Sequence, residues 1–412
     1  MKVLIVCQYY WPEPFRVHEV ALALRSAGCD VSVLTGQPNY PDGDTFPGYR
    51  ALASSTTVHE GIVVHRVPLL PRGRHSATRL VLNYLSFVLF GALVGLWKLR
   101  NQRFDVVFVY GLSPILMALP AIAVRRRTGG VLLTWVQDLW PESLAVTGYV
   151  RNKRVLAAVG KLVGWIYRHN DLVLAQSEAL VSHIRPMADP TPVEYHPNPG
   201  ELSFGASSNE PPALTLRSGF NVVFAGNLGT VQALDTVIEA ATLLRDDSDI
   251  RFVLIGSGSK SAWLQAEIQR RTLTNVDLPG RFPPNAMPAL LTQASALLVS
   301  LINDPVLSQT VPSKVQAYMA AGRPLLASLD GEGARVVLEA GAGLVSPAND
   351  APALAASIRK LALMHPDERE QMGQSGRAHY LENFEPNALA EKLKHKFAAL
   401  IEQRAAARHH ER

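Results

Sequence analysis

Cysteine is nearly missing from this sequence: two residues, Cys7 and Cys29, among 412. Both stand in apolar or strand-edge surroundings without ligand spacing. A disulfide framework and a cysteine-held zinc site are therefore excluded, and both read as reduced core residues. Charge is also scarce, at 18% of residues against 48% hydrophobic, which excludes a disordered chain and suits large sheets buried on both faces. No acidic DxD motif stands at a plausible metal position. Asp246, Asp247 and Asp249 fall in a helix-end loop and read as a solvated cluster. The opening MKVLIVCQYY lacks the pattern of a cleavable leader, because its apolar run is too short, and it reads as a first strand.

The length exceeds one ordinary core, so two domains are expected. Charge divides between the halves. Residues 1–199 carry 20 Lys and Arg against 13 Asp and Glu, whereas residues 200–412 carry 20 against 22. A basic first half implies an anionic partner there. Its basic residues are not interleaved with aromatics as in a nucleic-acid module, so an anionic membrane surface or a phosphate-bearing lipid is expected and nucleic acid is not.

The first half alternates strands (KVLIV, DVSVLTG, GIVVHRVP, DVVFVYG, GVLLTWVQD, DLVLAQS) with helical patterns, notably VHEVALALRSAG, Pro114–Arg127 and Val155–His169. The second half restarts with NVVFAG, a helix over Ala233–Leu244, then RFVLIG, SALLVSL and PLLAS. This predicts an α/β protein of two Rossmann-like doubly wound domains facing an interdomain cleft. The expected boundaries are 1–199, a Pro, Gly and Ser-rich linker at 200–217, 218–384, and a basic C-terminal helix at 385–412 that either folds back on the first domain or frays. LVLNYLSFVLFGALVGLWKL, Leu80 to Leu99, is nearly long enough to span a bilayer. Its Asn83, Tyr84, Ser86 and small residues favour a buried or amphipathic helix instead, and Arg72, Arg74 and Arg79 just before it suit docking on anionic lipid.

Three loops of the second half converge where strands hand over to helices: Gly226, Asn227 and Gly229 with Gln232 just inside the next helix; Arg281 and Phe282; and Ser313 and Lys314. Ser313 is expected to cap a helix from Lys314 to Ala321 that Gly322 stops. Backbone amides, an Arg and a Lys converging in this way describe a diphosphate pocket. Gly256-Ser257-Gly258 lacks the third glycine of a dinucleotide fingerprint and reads as a tight turn. In the first half, Asp138 follows a strand and either meets an acceptor hydroxyl or caps a helix. Glu142 is a second carboxylate within one turn. In the second half, Glu332 either holds sugar hydroxyls or belongs to a charged turn.

AGNLGTVQALDTVIEAA, VLIGSGSKSAWL, LPGRFPPNAMPALL, SALLVSL and PSKVQAYMAAGRPLLAS resemble the donor domain of family 4 glycosyltransferases with the GT-B fold. QYYWPEPFRVHEVALAL, LTGQPNYPDG, VQDLWPESL and LAQSEAL resemble its first half, and the likeness runs from Met1 to Phe384. Within the family, the set is most similar to bacterial O-antigen and capsule enzymes of the fucosamine-transferase type. The resemblance implies retention of configuration and no cofactor or metal, the nucleotide-sugar being a substrate. It implies a lipid-linked acceptor and a cytoplasmic enzyme peripheral on the inner face of the membrane. Donor contacts would come from Gly226, Asn227, Gln232, Gly256, Gly258, Arg281, Phe282, Ser313, Lys314 and Glu332. Arg16, His18, Asn39 and Tyr40 would face the acceptor, and Asp138, Glu142 and Lys314 would carry the chemistry. On the residues alone, Arg16 also reads as a solvated side chain in a helix's first turn.

This sequence departs from the family pattern at several places. Asn227 and Gln232 replace an Arg and a Lys, Gln309 and Ala317 replace paired glutamates, and Gln137 replaces a His. Two other classes stay open at this level: a nucleotide-sugar epimerase on the same scaffold, and a non-catalytic sugar-nucleotide adaptor.

Overall fold

The computed structural model describes residues 1–74, 76–146, 152–200 and 214–410. It divides into two compact units, Met1–Asn198 with Pro386–Arg412, and Pro199–Glu385. Most of the linker expected at 200–217, residues 201–213, lies outside the described residues.

The first unit holds β1 (Lys2–Val6), β2 (Asp30–Thr35), β3 (Ser55–His59), β4 (Ile62–Arg66), β5 (Val106–Gly111), β6 (Val131–Val136), β7 (Leu172–Ala175) and β8 (Val193–Tyr195). Among the described residues these form one sheet in the order β3-β4-β2-β1-β5-β6-β7-β8. All pairings are parallel except β3–β4. The helices are α1 (Val17–Ser26), α2 (Ala77–Lys98), α3 (Ala118–Thr128), α4 (Glu142–Val146), α5 (Lys153–Arg168) and α6 (Glu178–Ala188). The apolar runs of β1, β5 and β6 are buried almost end to end, as a sheet covered on both faces requires. Strands β3 and β8 were not expected. Both are edge strands, and β3 is short and largely exposed, so no apolar run announces them.

The second unit holds β9 (Phe220–Asn227), β10 (Ile250–Ser257), β11 (Val276–Gly280), β12 (Ala296–Ser300), β13 (Leu325–Ser328) and β14 (Gly343–Ser346), in the all-parallel order β11-β10-β9-β12-β13-β14. Its helices are α7 (Leu234–Leu243), α8 (Ser261–Arg271), α9 (Met287–Leu291), α10 (Ser313–Ala320), α11 (Glu332–Glu339), α12 (Ala351–Leu363) and α13 (Pro366–Asn383). The strand order reverses between β9 and β12. Such a switch point opens a crevice at the carboxyl ends of the strands. Two separate apolar clusters line the two faces of this sheet, one with Phe224 and Phe252, the other with Val299 and Tyr318.

The last helix, α14 (Pro386–His410), packs in the first unit. Leu393 and Phe397 enter the cluster that holds Val17 and Val33, and the Phe397 ring lies 5.6 Å from Phe108 in an edge contact. Two local expectations are corrected. Gln232 is not inside a helix but ends a 3-10 turn, Thr230–Gln232, before α7. Ser313 is not a cap but the first residue of α10. Pro312, extended at φ −62° and ψ 138°, precedes it without a side-chain hydrogen bond, because a proline supplies no capping oxygen.

Candidate functional site

The crevice of the second unit is a cavity of about 610 Å³. It is built from the tips of β9 and β10, the loop after β11, and the start of α10. Backbone geometry demands glycine at two of these tips. Gly226 and Gly256 pair in the β9–β10 register, each at φ +142°. A Cβ on Gly256 would stand 1.8 Å from the Gly226 carbonyl, and one on Gly226 would stand 2.8 Å from Lys314 Cε. No side chain fits there, so backbone and the Lys314 stem come close together. The loops are cross-braced: Leu228 N–H donates to Ser257 O at 3.0 Å, and Lys260 N–H to Leu228 O at 2.9 Å.

Lys314 stands in the first turn of α10. Its ammonium donates to Gln232 Oε1 at 2.5 Å and lies 4.9 Å from the centre of the buried Phe224 ring. Burial pushes its pKa down from 10.5 to about 8, and no carboxylate among the described residues counters the shift. Among the described residues, no Asp or Glu lines the cavity. An ammonium held partly out of water, with only an amide oxygen and a ring face, is incompletely compensated. An incoming anion would compensate it. Arg281, exposed at the same rim, adds a second cation, and Pro312 at the N-terminus of α10 makes no side-chain cap. Phe282, Pro284, Met287 and Leu291 form an apolar wall that suits the face of a nucleobase.

Of the expected donor residues, Gly226, Asn227, Gly256, Arg281, Phe282, Ser313 and Lys314 line this cavity. Gln232, Gly258 and Glu332 do not. Gln232 acts through Lys314, while its backbone carbonyl accepts from Ser300 Oγ at 2.7 Å. Gly258 permits close approach to the Leu228 carbonyl, 2.4 Å from where a Cβ would be. Glu332 is the first residue of α11, largely buried and paired with Arg335 at 2.8 Å. The sequence reading missed Tyr318. Its hydroxyl accepts from Ala225 N–H at 2.8 Å and donates to Ala225 O at 3.0 Å, tying α10 to the end of β9. An aromatic one turn after Lys314 is the only sequence signal for it, and core aromatics share that pattern.

In the first unit, Asp138 is exposed and accepts from Ser113 Oγ at 2.8 Å; the same hydroxyl accepts from Trp140 Nε1 at 3.0 Å. Glu142 faces His183 of α6 at 3.1 Å, a partner the sequence reading did not include. Asn39 and Tyr40 serve the loop itself. Glu13 Oε1 accepts both their N–H groups at 2.8 Å, and Asn39, 1% exposed, is further bound to Arg72 N–H and Asn83. Glu13 also accepts Tyr10 N–H at 3.1 Å, yet burial outweighs these bonds and raises its pKa from 4.5 to about 7. Arg16 precedes α1, and His18 sits in its first turn between Tyr10 and Glu60.

Residues 15–199 match the glycosyl transferase 4-like domain, and residues 212–379 match glycosyl transferases group 1. The chain belongs to the family 4 glycosyltransferases with the GT-B fold. It is 26% identical over 341 residues to WcaI of Escherichia coli strain K12, named as a colanic acid biosynthesis glycosyl transferase, covering 78% of this chain and 82% of that one. WcaL of Salmonella typhimurium, named for the same biosynthesis, is 24% identical over 238 residues, 55% of this chain and 56% of that one. Among solved structures, sucrose-phosphate synthase from Thermosynechococcus elongatus superposes at a TM-score of 0.69, with 17% identity over 98% of this chain and 99% of that one. Anabaena HepE in complex with UDP does so at 0.66, with 13% identity over 97% and 100%. These structures share the GT-B fold with this glycosyltransferase.

Proposed function

We propose that this glycosyltransferase moves a sugar from a nucleoside-diphosphate donor to a lipid-linked polysaccharide precursor with retention of configuration. The observation that carries the donor half is Lys314, a desolvated ammonium in a crevice at strand ends, without a counter-carboxylate among the described residues. Transfer breaks the bond between the anomeric carbon and a diphosphate oxygen and forms one to an acceptor hydroxyl, whose proton leaves as the bond forms. Charge builds on the departing diphosphate. Lys314, Arg281 and the amides of α10 stabilise it electrostatically, so that the diphosphate's charge is met without a metal or cofactor. HepE was solved with UDP, and an E. coli trehalose-6-phosphate protein with UDP-2-fluoro glucose; both support a nucleotide-sugar donor. Asp138, oriented by Ser113, is the carboxylate offered to the acceptor hydroxyl, with Glu142 held by His183 close by in sequence.

The acceptor half rests on α2, whose outward face is apolar. Its inward positions combine small or polar residues with the fully buried Phe87. Asn83 and Ser86 are buried, Gly91 packs on Pro120 and Gly95 on Leu34. Its outward positions are Val81, Leu82, Leu85, Leu89, Leu93 and Trp97, 47–62% exposed. Exposed Arg74 and Arg79 stand at one end and Arg100, stacked on Trp97, at the other. The helix is long and apolar enough to cross a bilayer. Its docking through glycine contacts favours lying in the interface, where aliphatic side chains enter lipid and arginines meet anionic headgroups. A cytoplasmic, peripheral enzyme of O-antigen, capsule or exopolysaccharide assembly follows, and the WcaI and WcaL relatives support that substrate class. Within it, the fucosamine-transferase type is the subgroup this reading favours.

The test is incubation of purified protein with labelled UDP-, GDP- and TDP-sugars and membrane extract. Label in the lipid phase for one donor is the expected result. Epimerised free nucleotide-sugar, or binding without turnover, refutes transfer.

A further inference from the structure

In the first unit, the turn between β3 and β4 is only two residues, Glu60 at φ 46° and Gly61 at φ 74°. It holds His59 and Glu60 against the first turn of α1. His18 Nε2 lies 2.9 Å from Glu60 Oε2, His59 Nε2 lies 3.9 Å from the same oxygen, and the three ligand atoms fall within 4.8 Å of one another. Each group is fixed from behind. His18 Nδ1 is 3.0 Å from the Tyr10 hydroxyl, which assigns Nε2 as the outward lone pair when Nδ1 carries the proton. The His59 ring stacks on Trp11 at 3.7 Å and 18°. Arg25 donates to the Glu60 carbonyl oxygen, holding the turn. All three residues keep partial access to solvent.

We propose that His18, His59 and Glu60 form a binding site for a divalent transition metal of the zinc class, open at its remaining positions. Zinc binds His nitrogen and carboxylate oxygen at about 2.1 Å, which puts tetrahedral ligand atoms about 3.4 Å apart. The observed separations of 2.9 and 3.9 Å bracket that value, so small side-chain rotations close the site. Two imidazoles and one carboxylate suit zinc and exclude magnesium or calcium, which take oxygen ligands. The Tyr10 hydroxyl and Trp11 ring supply the outer support that metal-binding histidines ordinarily have. The site clamps the β3–β4 turn to α1 and is built of residues of the first unit alone.

The probe is Zn²⁺ titrated by calorimetry into chelator-stripped full chain purified without a histidine tag. Co²⁺ absorption serves as a second readout of nitrogen and oxygen ligation. One metal per chain is expected, with His59→Ala and Glu60→Gln each weakening it at least about 30-fold while circular dichroism stays unchanged. No saturable binding in the wild type overturns the proposal. So does equal affinity in both variants, which would place the metal on other histidines such as His409 and His410.

Discussion

Replacing Lys314 by Met tests whether its ammonium is a strained group kept for an anion. The shift from 10.5 to about 8 corresponds to roughly 3.4 kcal/mol at 1.36 kcal/mol per pKa unit. Met keeps the apolar stem against Phe224 and removes the charge. It leaves the Gln232 amide oxygen without its partner, at a cost of about 1 kcal/mol. The apo protein is therefore expected to gain about 2 kcal/mol at pH 7, or about 4–8 °C in the melting of the second unit. The sign with pH follows from proton linkage. The folded form holds the Lys314 proton less tightly than the unfolded chain, so the penalty is complete below about pH 8. Wild-type stability should then rise from about pH 8 to 10.5 and lose that rise in Lys314→Met. The same variant should lose binding of nucleoside diphosphate. Scanning calorimetry across pH, paired with titration of UDP, GDP and TDP, reads both effects. A variant less stable than wild type at pH 7, or one with unchanged nucleotide affinity for every base, refutes the reasoning.

Gly226→Ala forces a side chain onto φ +142° and against Lys314 Cε. A loss of about 1–3 kcal/mol is expected in urea unfolding, together with weakened donor binding, and a neutral effect on both would exclude the tight approach. The triple change of Leu85, Leu89 and Leu93 to Gln removes half-exposed leucines worth about 1 kcal/mol each on entering lipid. Sedimentation with anionic vesicles should fall about 100-fold with the melting temperature unchanged; equal sedimentation would deny α2 a role at the membrane. Glu13, with its pKa raised from 4.5 to about 7, is costly when ionised, so folded stability should fall as pH climbs between those values. In Glu13→Gln that component of the slope should vanish, and an unaltered pH profile would place it elsewhere.

The alternation of apolar runs with glycine-stopped helical patterns was enough to read both doubly wound domains, because buried parallel strands must be apolar along their length. The edge strands β3, β8, β11 and β14 escaped it, since exposure or short length relaxes that demand. At the site, the sequence gathered Gly226, Asn227, Arg281, Ser313 and Lys314 by their places after strands, and the fold brings these five around one cavity. It could not tell Glu332, spent on Arg335, from a cavity carboxylate, because an ion pair three residues away is a matter of rotamer. Likewise Asn39, legible as a loop amide, turned out to be held among Glu13, Arg72 and Asn83.

The sequence by itself determined the kind of chain this is: apolar strands, glycine tips and a lysine at a helix start. It also determined that residues 80–99 are hydrophobic. Only tertiary structure decided which face of that segment is free, since Gly91 and Gly95 turn inward to let α2 approach its neighbours and thereby push the leucines out. Only tertiary structure decided that Lys314 stands over Phe224 with an amide for a partner, because desolvation depends on what surrounds a group in space. And only the close turn of β3 into β4 could bring His59 and Glu60 to His18, some forty residues earlier in the chain.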